Sequence, residues 1–412
     1  MHGQPLLGAA RTQAMGDFLR RMDWLGRERA IAYLRIVAVL DVALLVVLVT
    51  TSHAGVDRNG FLLGTDFISF WTSGRMLQHG ANVYDAAAHM AAQRAFFVAP
   101  KGYTAFFYPP TFLPVCWLLG LMGYFPALAG WLTVTGAFYF VAARRWLKAT
   151  EIEASSWLLF MGFPAAAIVV THGQTAFLVA GLLGLGAWLV PSRPMLAGML
   201  LGLATIKPQF GILVPFALLL TREWKTTATA VMTALALGVL SAVLFGAQIW
   251  QDWLMASARA QATMEAGDVP FGKFITPFAA LRLVGAPVSI AYAGQGAVSL
   301  VVALLLARSA SGRRWSPALS ALLLTGALLA TPFALDYDLV LLAFPLLWLT
   351  GEGLRGGFAS YEKLAIALAF ITPAFSRALG LNVGLPVTPP VLALLFWALF
   401  RRASEQPSAR MT

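Results

Sequence analysis

Residues 64–110 read GTDFISFWTSGRMLQHGANVYDAAAHMAAQRAFFVAPKGYTAFFYPP and form the longest polar interval of a chain that is otherwise almost continuously apolar. The interval carries Trp71, Tyr84, Tyr103, Phe106, Phe107 and Tyr108, which a plain solvated loop would not. Loops of this length are functional or disordered, and disordered segments are poor in aromatics. The stretch is therefore expected to fold as an extramembrane lobe. Gly74, Gly80, Asn82 and Pro100 supply its turns. Between them the pattern suits two short amphipathic helices, 66–79 and 84–97, lying on a membrane surface. Tyr108, Pro109 and Pro110 end the lobe, because consecutive prolines cannot sit inside a helix. Asp66, followed by Phe67, Ile68, Phe70 and Trp71, is an ionisable group in an apolar setting near the lipid boundary, a setting typical of functional carboxylates.

Outside this lobe the composition is that of a membrane protein. Of 412 residues, 59% are hydrophobic and 11% charged, and the mean hydropathy is +0.75. Several apolar runs approach or exceed the ~20 residues that carry a helix across a bilayer. A closed β-barrel would instead show short alternating segments, and none is present, so the fold class is an all-α polytopic membrane protein. The net charge of +11 could suggest nucleic acid. The Lys and Arg residues, however, cluster in short joints between apolar runs, as at the cytoplasmic ends of spans, and no nucleic-acid partner is expected. A single cysteine, Cys116, excludes intrachain disulfides and Cys-based metal sites. Residues 1–32, with Arg11, Arg20, Arg21, Arg27 and Arg29, read as a basic cytoplasmic N-terminus. They do not read as a secretory signal, since the run behind them has span length and no convincing cleavage site.

One transmembrane domain is expected over 33–402, followed by a cytoplasmic tail at 403–412. The first span, 33–52, delivers the lobe, residues 53–110, to the outer side. From Thr111 to Arg145 there is sequence for a span and a half, and keeping Arg144, Arg145 and Lys148 inside requires one span plus a re-entrant piece. Runs 155–171 and 175–190 follow, and 195–220 reads as a hairpin of short helices with Lys207, Pro208 and Gln209 at its outer turn. A second outer loop, 247–286, carries Trp250 and Trp253, suited to an interfacial belt. The remaining runs bring the count to roughly twelve crossings with both termini cytoplasmic.

The outer ends of these runs collect Asp66, Arg75, Asp85, His172, Gln174, Lys207, Gln209, Asp336 and Asp338 on one face. Ionisable groups at or near lipid depth are costly and are functional candidates by default. Each has a duller reading: Asp66 could cap the helix that begins at Phe67, Arg75 could pair with Asp66 or Asp85, and His172 could be a hydrogen-bonded structural group. Lys207, between Ile206 and Pro208 in an apolar hairpin, has few routes to snorkel to water. An anionic partner is the better reading, a phosphate being well suited to an ammonium. Asp336 and Asp338 resemble a metal-binding DxD, and capping of the following helix explains them equally well. No GxGxxG, Walker loop, HExxH or GxSxG occurs in a fitting context.

The series Asp66-Phe67, Phe70-Trp71, Gly74-Arg75, Gly80, Tyr84-Asp85 and Phe107-Tyr108-Pro109-Pro110 resembles the first outer loop of glycosyltransferase family 87. These are polyprenol-phosphate-sugar-dependent enzymes of the GT-C superfamily. Gly173-Gln174, Ala197-Gly198, Gly202-Leu203-Ala204 and Lys207-Pro208-Gln209 continue the likeness, which spans about residues 30–350. The resemblance implies transfer of a hexose, mannose-like, from a polyprenyl-phosphate donor to a lipid or glycan acceptor on the periplasmic or extracellular face of a bacterial inner membrane. It also implies that Asp66 acts as general base. A fixed cation, Lys207 or Arg75, would stabilise the departing phosphate. Trp71, Tyr84, Asp85, Tyr108, His172, Gln174, Gln209, Asp336, Tyr337 and Asp338 would then bind substrate. The donor has one phosphate, so no cofactor is expected and no metal is strictly required. Many relatives carry a Trp-His-His type segment late in the chain; here the place reads Thr331-Pro332-Phe333-Ala334-Leu335-Asp336-Tyr337-Asp338, and no histidine role carries over. The rival class is a transporter or flippase of a lipid-linked or anionic solute, which would need polar, Gly/Pro-interrupted segments at mid-membrane in both halves of the chain.

Overall fold

The computed structural model describes residues 17–97, 104–150, 152 and 155–405. Arg11, Pro100, Tyr103 and residues 406–412 of the expected tail lie outside them. Among the described residues there are helices and turns but no strand, only isolated bridges. Among the same described residues, six helices are long and apolar enough to cross a membrane: Arg27–Thr50, Tyr124–Lys148, Trp224–Phe245, Val288–Ala310, Asp336–Gly356 and Glu362–Val383. Shorter apolar helices lie between them, including Ala176–Leu189, Pro194–Ile206, Pro208–Leu220 and Pro317–Ala330. The breaks follow the prolines, which have no N–H to donate and so favour the first helical turn: Pro164, Pro194, Pro208, Pro277 and Pro317 each open a helix. Pro317–Ala330 is apolar around its whole circumference and buried along almost its full length, as such a helix must be.

The helix ends gather at two faces. At one, the turn before Phe67, the end of Pro164–His172, the Lys207 turn, the start of Asp336–Gly356 and the end of Glu362–Ala378 converge around a cavity. At the other, cationic joints interlock. Arg402 pairs with Glu362, Arg355 Nη1 donates to Ala149 O at 3.1 Å, Arg313 Nη1 to Ala403 O at 3.0 Å, and Lys363 Nζ to Met22 O at 3.2 Å.

Residues 110–123 hold a short helix, Leu113–Leu119, whose 7 residues are too few to cross a bilayer. It packs against the lobe, and Tyr124–Lys148 then makes a helix long and apolar enough to cross a membrane. The two lobe helices fall at Phe67–Gln78 and Ala86–Phe96. The first does not lie on a surface as expected: Phe67 through Gly74 are all buried, because the 113–119 helix covers one side and Tyr124, Trp131 and Phe112 the other. The second buries only His89 and Gln93, one turn apart. The expected second outer loop is mostly helical, with Gln248–Ala266 laid over the lobe. Its Trp253 Nε1 donates to Phe107 O at 3.2 Å and its Arg259 Nη2 to Tyr84 O at 2.7 Å. Trp253 is thus a lobe clamp instead of an interfacial belt residue.

The lobe helix meets its neighbour through glycine. A Cβ on Gly74 would lie 2.0 Å from Cys116 O, and one on Gly120 would lie 2.5 Å from Gly74 C. Backbone stands on both sides of this contact, so it cannot yield as a flexible side chain would. Gly74→Ala is expected to destabilise the protein by about 1–3 kcal/mol through overpacking, read as a lower unfolding midpoint in detergent, with Gly80→Ala as a control for backbone strain without crowding.

Candidate functional site

A cavity of about 960 Å³ opens at the first face. Its wall brings together Asp66, Tyr108, His172, Gln174, Lys207, Gln209 and Tyr337 from five separate stretches of chain. Asp66 precedes the Phe67 helix, but its side chain makes no capping bond. Its N–H donates to His172 O at 3.0 Å, and its Oδ2 accepts from Gln174 Nε2 at 2.7 Å. The other oxygen has only a long contact, 3.5 Å, to Thr65 Oγ1. Gln174 is itself fixed: its Oε1 accepts from Tyr108 Oη at 2.9 Å and from Thr175 N at 3.0 Å.

This arrangement needs a tight turn. Gly173 closes the Pro164–His172 helix with φ +65°, and a Cβ there would lie 2.6 Å from Phe67 Cβ. Only glycine meets both demands without strain, and the turn therefore seats Gln174 directly against Asp66.

Asp336 and Asp338 stand behind the wall, both buried. They diverge: Asp338 Oδ1 lies 2.7 Å from Lys207 Nζ, while Asp336 lies 2.6 Å from Arg377 Nε. Asp338 Oδ2 also accepts from Leu335 N at 3.1 Å, so the capping reading holds for it. Carboxylates committed in opposite directions to two cations do not make a DxD metal site, and no group of three metal-ligating side chains occurs among the described residues. As counter-ions they are not placed to bind substrate directly. Tyr337, between them, lies under Lys207, whose ammonium is 4.9 Å from the ring centroid.

His172 Nδ1 is 2.9 Å from Ile168 O and Nε2 is 3.0 Å from Arg377 Nη1. A carbonyl on one side and a guanidinium on the other assign the neutral ring with its proton on Nδ1. The imidazole is thus a fixed acceptor that helps to hold Arg377.

Besides Asp336 and Asp338, four expected site residues lie outside the cavity wall. Arg75 pairs with neither Asp66 nor Asp85: its Nη1 donates to Gly120 O at 3.3 Å and its guanidinium faces the Trp71 and Phe96 rings. It does not line the cavity. Trp71 is buried with Nε1 donating to Met122 O at 2.9 Å, and Tyr84 is buried with its hydroxyl donating to Tyr108 O at 2.7 Å. Asp85 caps Ala86–Phe96, accepting from Ala87 N and Ala88 N. All four build the lobe.

Conversely, Arg377, Lys273 and Gln93 line the cavity and were not singled out from the sequence. Arg377 had a signal: it is the one charge between Lys363 and Arg401, at the end of a run that should finish on the cation-poor side. Gln93 belongs to a buried chain. It exchanges hydrogen bonds with Thr104, its Nε2 lies 2.9 Å from His89 Nδ1, and His89 Nε2 lies 3.1 Å from Ser73 Oγ. Thr104 Oγ1 in turn donates to Thr65 O at 2.9 Å, which ties the chain to the turn that carries Asp66. Burial pushes the His89 ring down to about 4.

An all-helical, polytopic membrane protein with a polar cavity at one face is the class these features define. Within it, the chain belongs to glycosyltransferase family 87, whose family model matches residues 106–332, more than half of the chain. Tyr108, His172, Gln174, Lys207, Gln209, Trp253 and Lys273 fall inside the match; Asp66, Asp336 and Arg377 fall outside it. No curated protein and no solved structure matches the chain.

His89 binds its proton less readily folded, at about 4, than unfolded, at 6.5. Between these values the unfolded chain binds more protons, so the stability from neutral His89 is present above pH ~6.5 and is lost as pH falls toward ~4. His89→Gln should flatten that part of the pH dependence of the unfolding midpoint. For the buried Lys207–Asp338 pair, Lys207→Met alone leaves a stranded carboxylate and is expected to cost about 3–5 kcal/mol. The double variant Lys207→Met, Asp338→Leu should recover part of that loss, which a double-mutant cycle on unfolding midpoints would read.

Proposed function

We propose that the chain moves a hexose, mannose-like, from a polyprenyl-phosphate sugar to a hydroxyl of a lipid or glycan acceptor, with Asp66 as general base. The observation that carries this reading is the Asp66 carboxylate itself. It forgoes the capping bond its position offers, turns into the cavity and keeps one oxygen lightly engaged. Gln174 fixes the carboxylate in orientation through the other. In the step proposed, the acceptor O–H gives its proton to Asp66 as the oxygen bonds to the anomeric carbon. The bond from that carbon to the phosphate oxygen breaks, and polyprenyl phosphate leaves with the electron pair. Attack opposite the leaving group inverts the anomeric centre, and Asp66 then returns the proton to water.

The sidedness draws support from charge. Arg355, Lys363, Arg402 and Arg313 gather opposite the cavity, as cationic joints do at the cytoplasmic side. The cavity then faces the periplasm or exterior of a bacterial inner membrane. On this reading the six long apolar helices and the shorter ones between them together make roughly twelve crossings, as the sequence leads one to expect.

Asp66→Asn keeps the shape and an oxygen for Gln174, so folding should be unchanged by size exclusion and melting. Transfer from a labelled polyprenyl-phosphate hexose in reconstituted membranes should fall by about 10²–10⁴-fold. Wild-type turnover by this variant would remove Asp66 from the role.

A further inference from the structure

Four cations line the cavity; Arg94 is exposed to solvent, and the three that are buried or half-buried differ in what already neutralises them. Lys207 is closed on Asp338 at 2.7 Å, and Arg377 on Asp336 at 2.6 Å with a second bond to His172. Lys273 lines the same cavity and is half-buried, and its ammonium has no hydrogen-bonded or ion-paired partner among the described residues. A half-buried ammonium without a counter-ion is costly, and such a group persists where its surroundings hold it in place for a ligand.

The surroundings do hold it. Lys273 ends the short turn Phe271–Lys273, which is clamped on both sides by backbone. Upstream, Gly272 lies against Gly380: a Cβ on Gly272 would be 2.5 Å from Gly380 C, and one on Gly380 would be 2.6 Å from Gly272 O. Downstream, Phe274 forms an antiparallel bridge with Leu335, and Ile275 N donates to Ala334 O at 3.0 Å. Gly380 follows closely after Arg377 and Leu335 directly precedes Asp336, so the two clamps fix Lys273 beside that ion pair. Burial and then the Arg377 charge push its ammonium below the ordinary lysine range, while Asp66 and Asp336 pull the other way. The charges around it therefore include the proposed base.

The cavity also changes character at this point. Beyond Lys273 its wall continues through Met264, Val269, Phe274, Tyr292 and Phe333, which pack together as a separate apolar cluster. Lys273 thus stands where a polar chamber meets an apolar arm, an arrangement suited to an amphiphile with an anionic head.

Building on the donor class inferred above, we propose that Lys273 is the cation that binds the donor's phosphate, with the isoprenoid chain along the apolar arm and the sugar toward Asp66. Lys207 and Arg377 can bind phosphate only in competition with carboxylates already in contact with them. Lys273 has no such competitor, and its charge is placed to stabilise the phosphate as the bond to the anomeric carbon breaks. Lys207 and Arg377 become positioning residues that keep the two aspartates neutralised.

The experiment compares the full-length wild type with Lys273→Gln and Lys273→Arg in detergent, after melting and size exclusion confirm folding. Binding of polyprenyl phosphate, and of the polyprenol of equal chain length, is followed through tryptophan fluorescence, Trp253 being in the wall. The wild type should prefer the phosphate by roughly ten- to a hundredfold, the worth of a charged hydrogen bond. Lys273→Gln should lose that preference and raise the donor KM, and Lys273→Arg should restore part of both. An unchanged preference and donor KM in Lys273→Gln would overturn the proposal, as would a wild type that does not distinguish phosphate from alcohol. Displacement of polyprenyl phosphate by an equal concentration of inorganic phosphate would overturn the placement of the chain along the apolar arm. If Lys273→Gln loses the phosphate preference but the wild type transfers no sugar, Lys273 is right and the transferase donor is wrong. If the wild type transfers sugar and Lys273→Gln matches it, the reverse holds.

Discussion

Asp336 and Asp338 carry the electrostatics of the whole site. Both carboxylates are buried among apolar helices, where a charge survives only if it is paired. Their pairs reach across the fold: Asp338 draws in the mid-chain turn at Lys207, and Asp336 draws in the end of a late helix at Arg377. Broken apolar helices would otherwise have little reason to meet at these points, since packing against lipid and packing against protein are similarly favourable for a hydrocarbon surface. The two pairs therefore do structural work first. Their second effect is to neutralise Lys207 and Arg377, which leaves Asp66 and Lys273 among the groups of the wall that an incoming ligand meets without an ion-pair partner.

The lobe serves the same end by different means. Asp66 is held from behind through backbone and neutral hydrogen bonds, because a cation in direct contact would weaken it as a base. Its N–H is fixed by His172 O, its carboxylate is aimed by Gln174, and its turn is steadied by Thr104, Gln93 and His89. Close glycine contacts, Gly74 on Gly120 and Gly173 on Phe67, let these elements approach within backbone distance. Such packing is rigid, which a base needs if it is to stay within hydrogen-bond reach of an acceptor hydroxyl.

The membrane class, the folded lobe, its two helices and the place of Asp66 were all legible in the sequence, since each follows from local pattern or from length. Partnerships across the fold were not. Arg75 and Arg377 are both arginines at the ends of apolar helices, and nothing local distinguishes them. The first is turned toward Gly120 and two aromatic rings and the second toward a buried aspartate forty-one positions away. Asp336 and Asp338 looked like a ligand pair because spacing by one residue puts side chains together in an extended chain; in the 3₁₀ turn Asp336–Leu342 the same spacing sends them apart. The burial of the Phe67 helix was hidden for a related reason, since an amphipathic pattern reports that one face is apolar but not whether protein or solvent covers the other.

The distinction between chemistry and conduction turns on what lies below the cavity. A conduit would require polar, loosely packed sequence to continue from the Lys207 turn toward the opposite face. Instead the interior there is filled by aromatic side chains in contact. Tyr139 packs on Phe177 and Phe344 at 5.2 and 5.8 Å between ring centroids, and Trp146 on Phe344 and Trp188 at 5.6 and 5.1 Å. Their polar atoms are spent on backbone carbonyls, Tyr139 Oη on Val340 O and Trp146 Nε1 on Gly184 O. Opening a path would expose these carbonyls without partners and separate several buried rings at once, each step costing kcal/mol. A cavity that gathers Asp66, Gln174, Lys207 and Lys273 at one face, above packed aromatics, suits transfer at that face better than conduction through the chain.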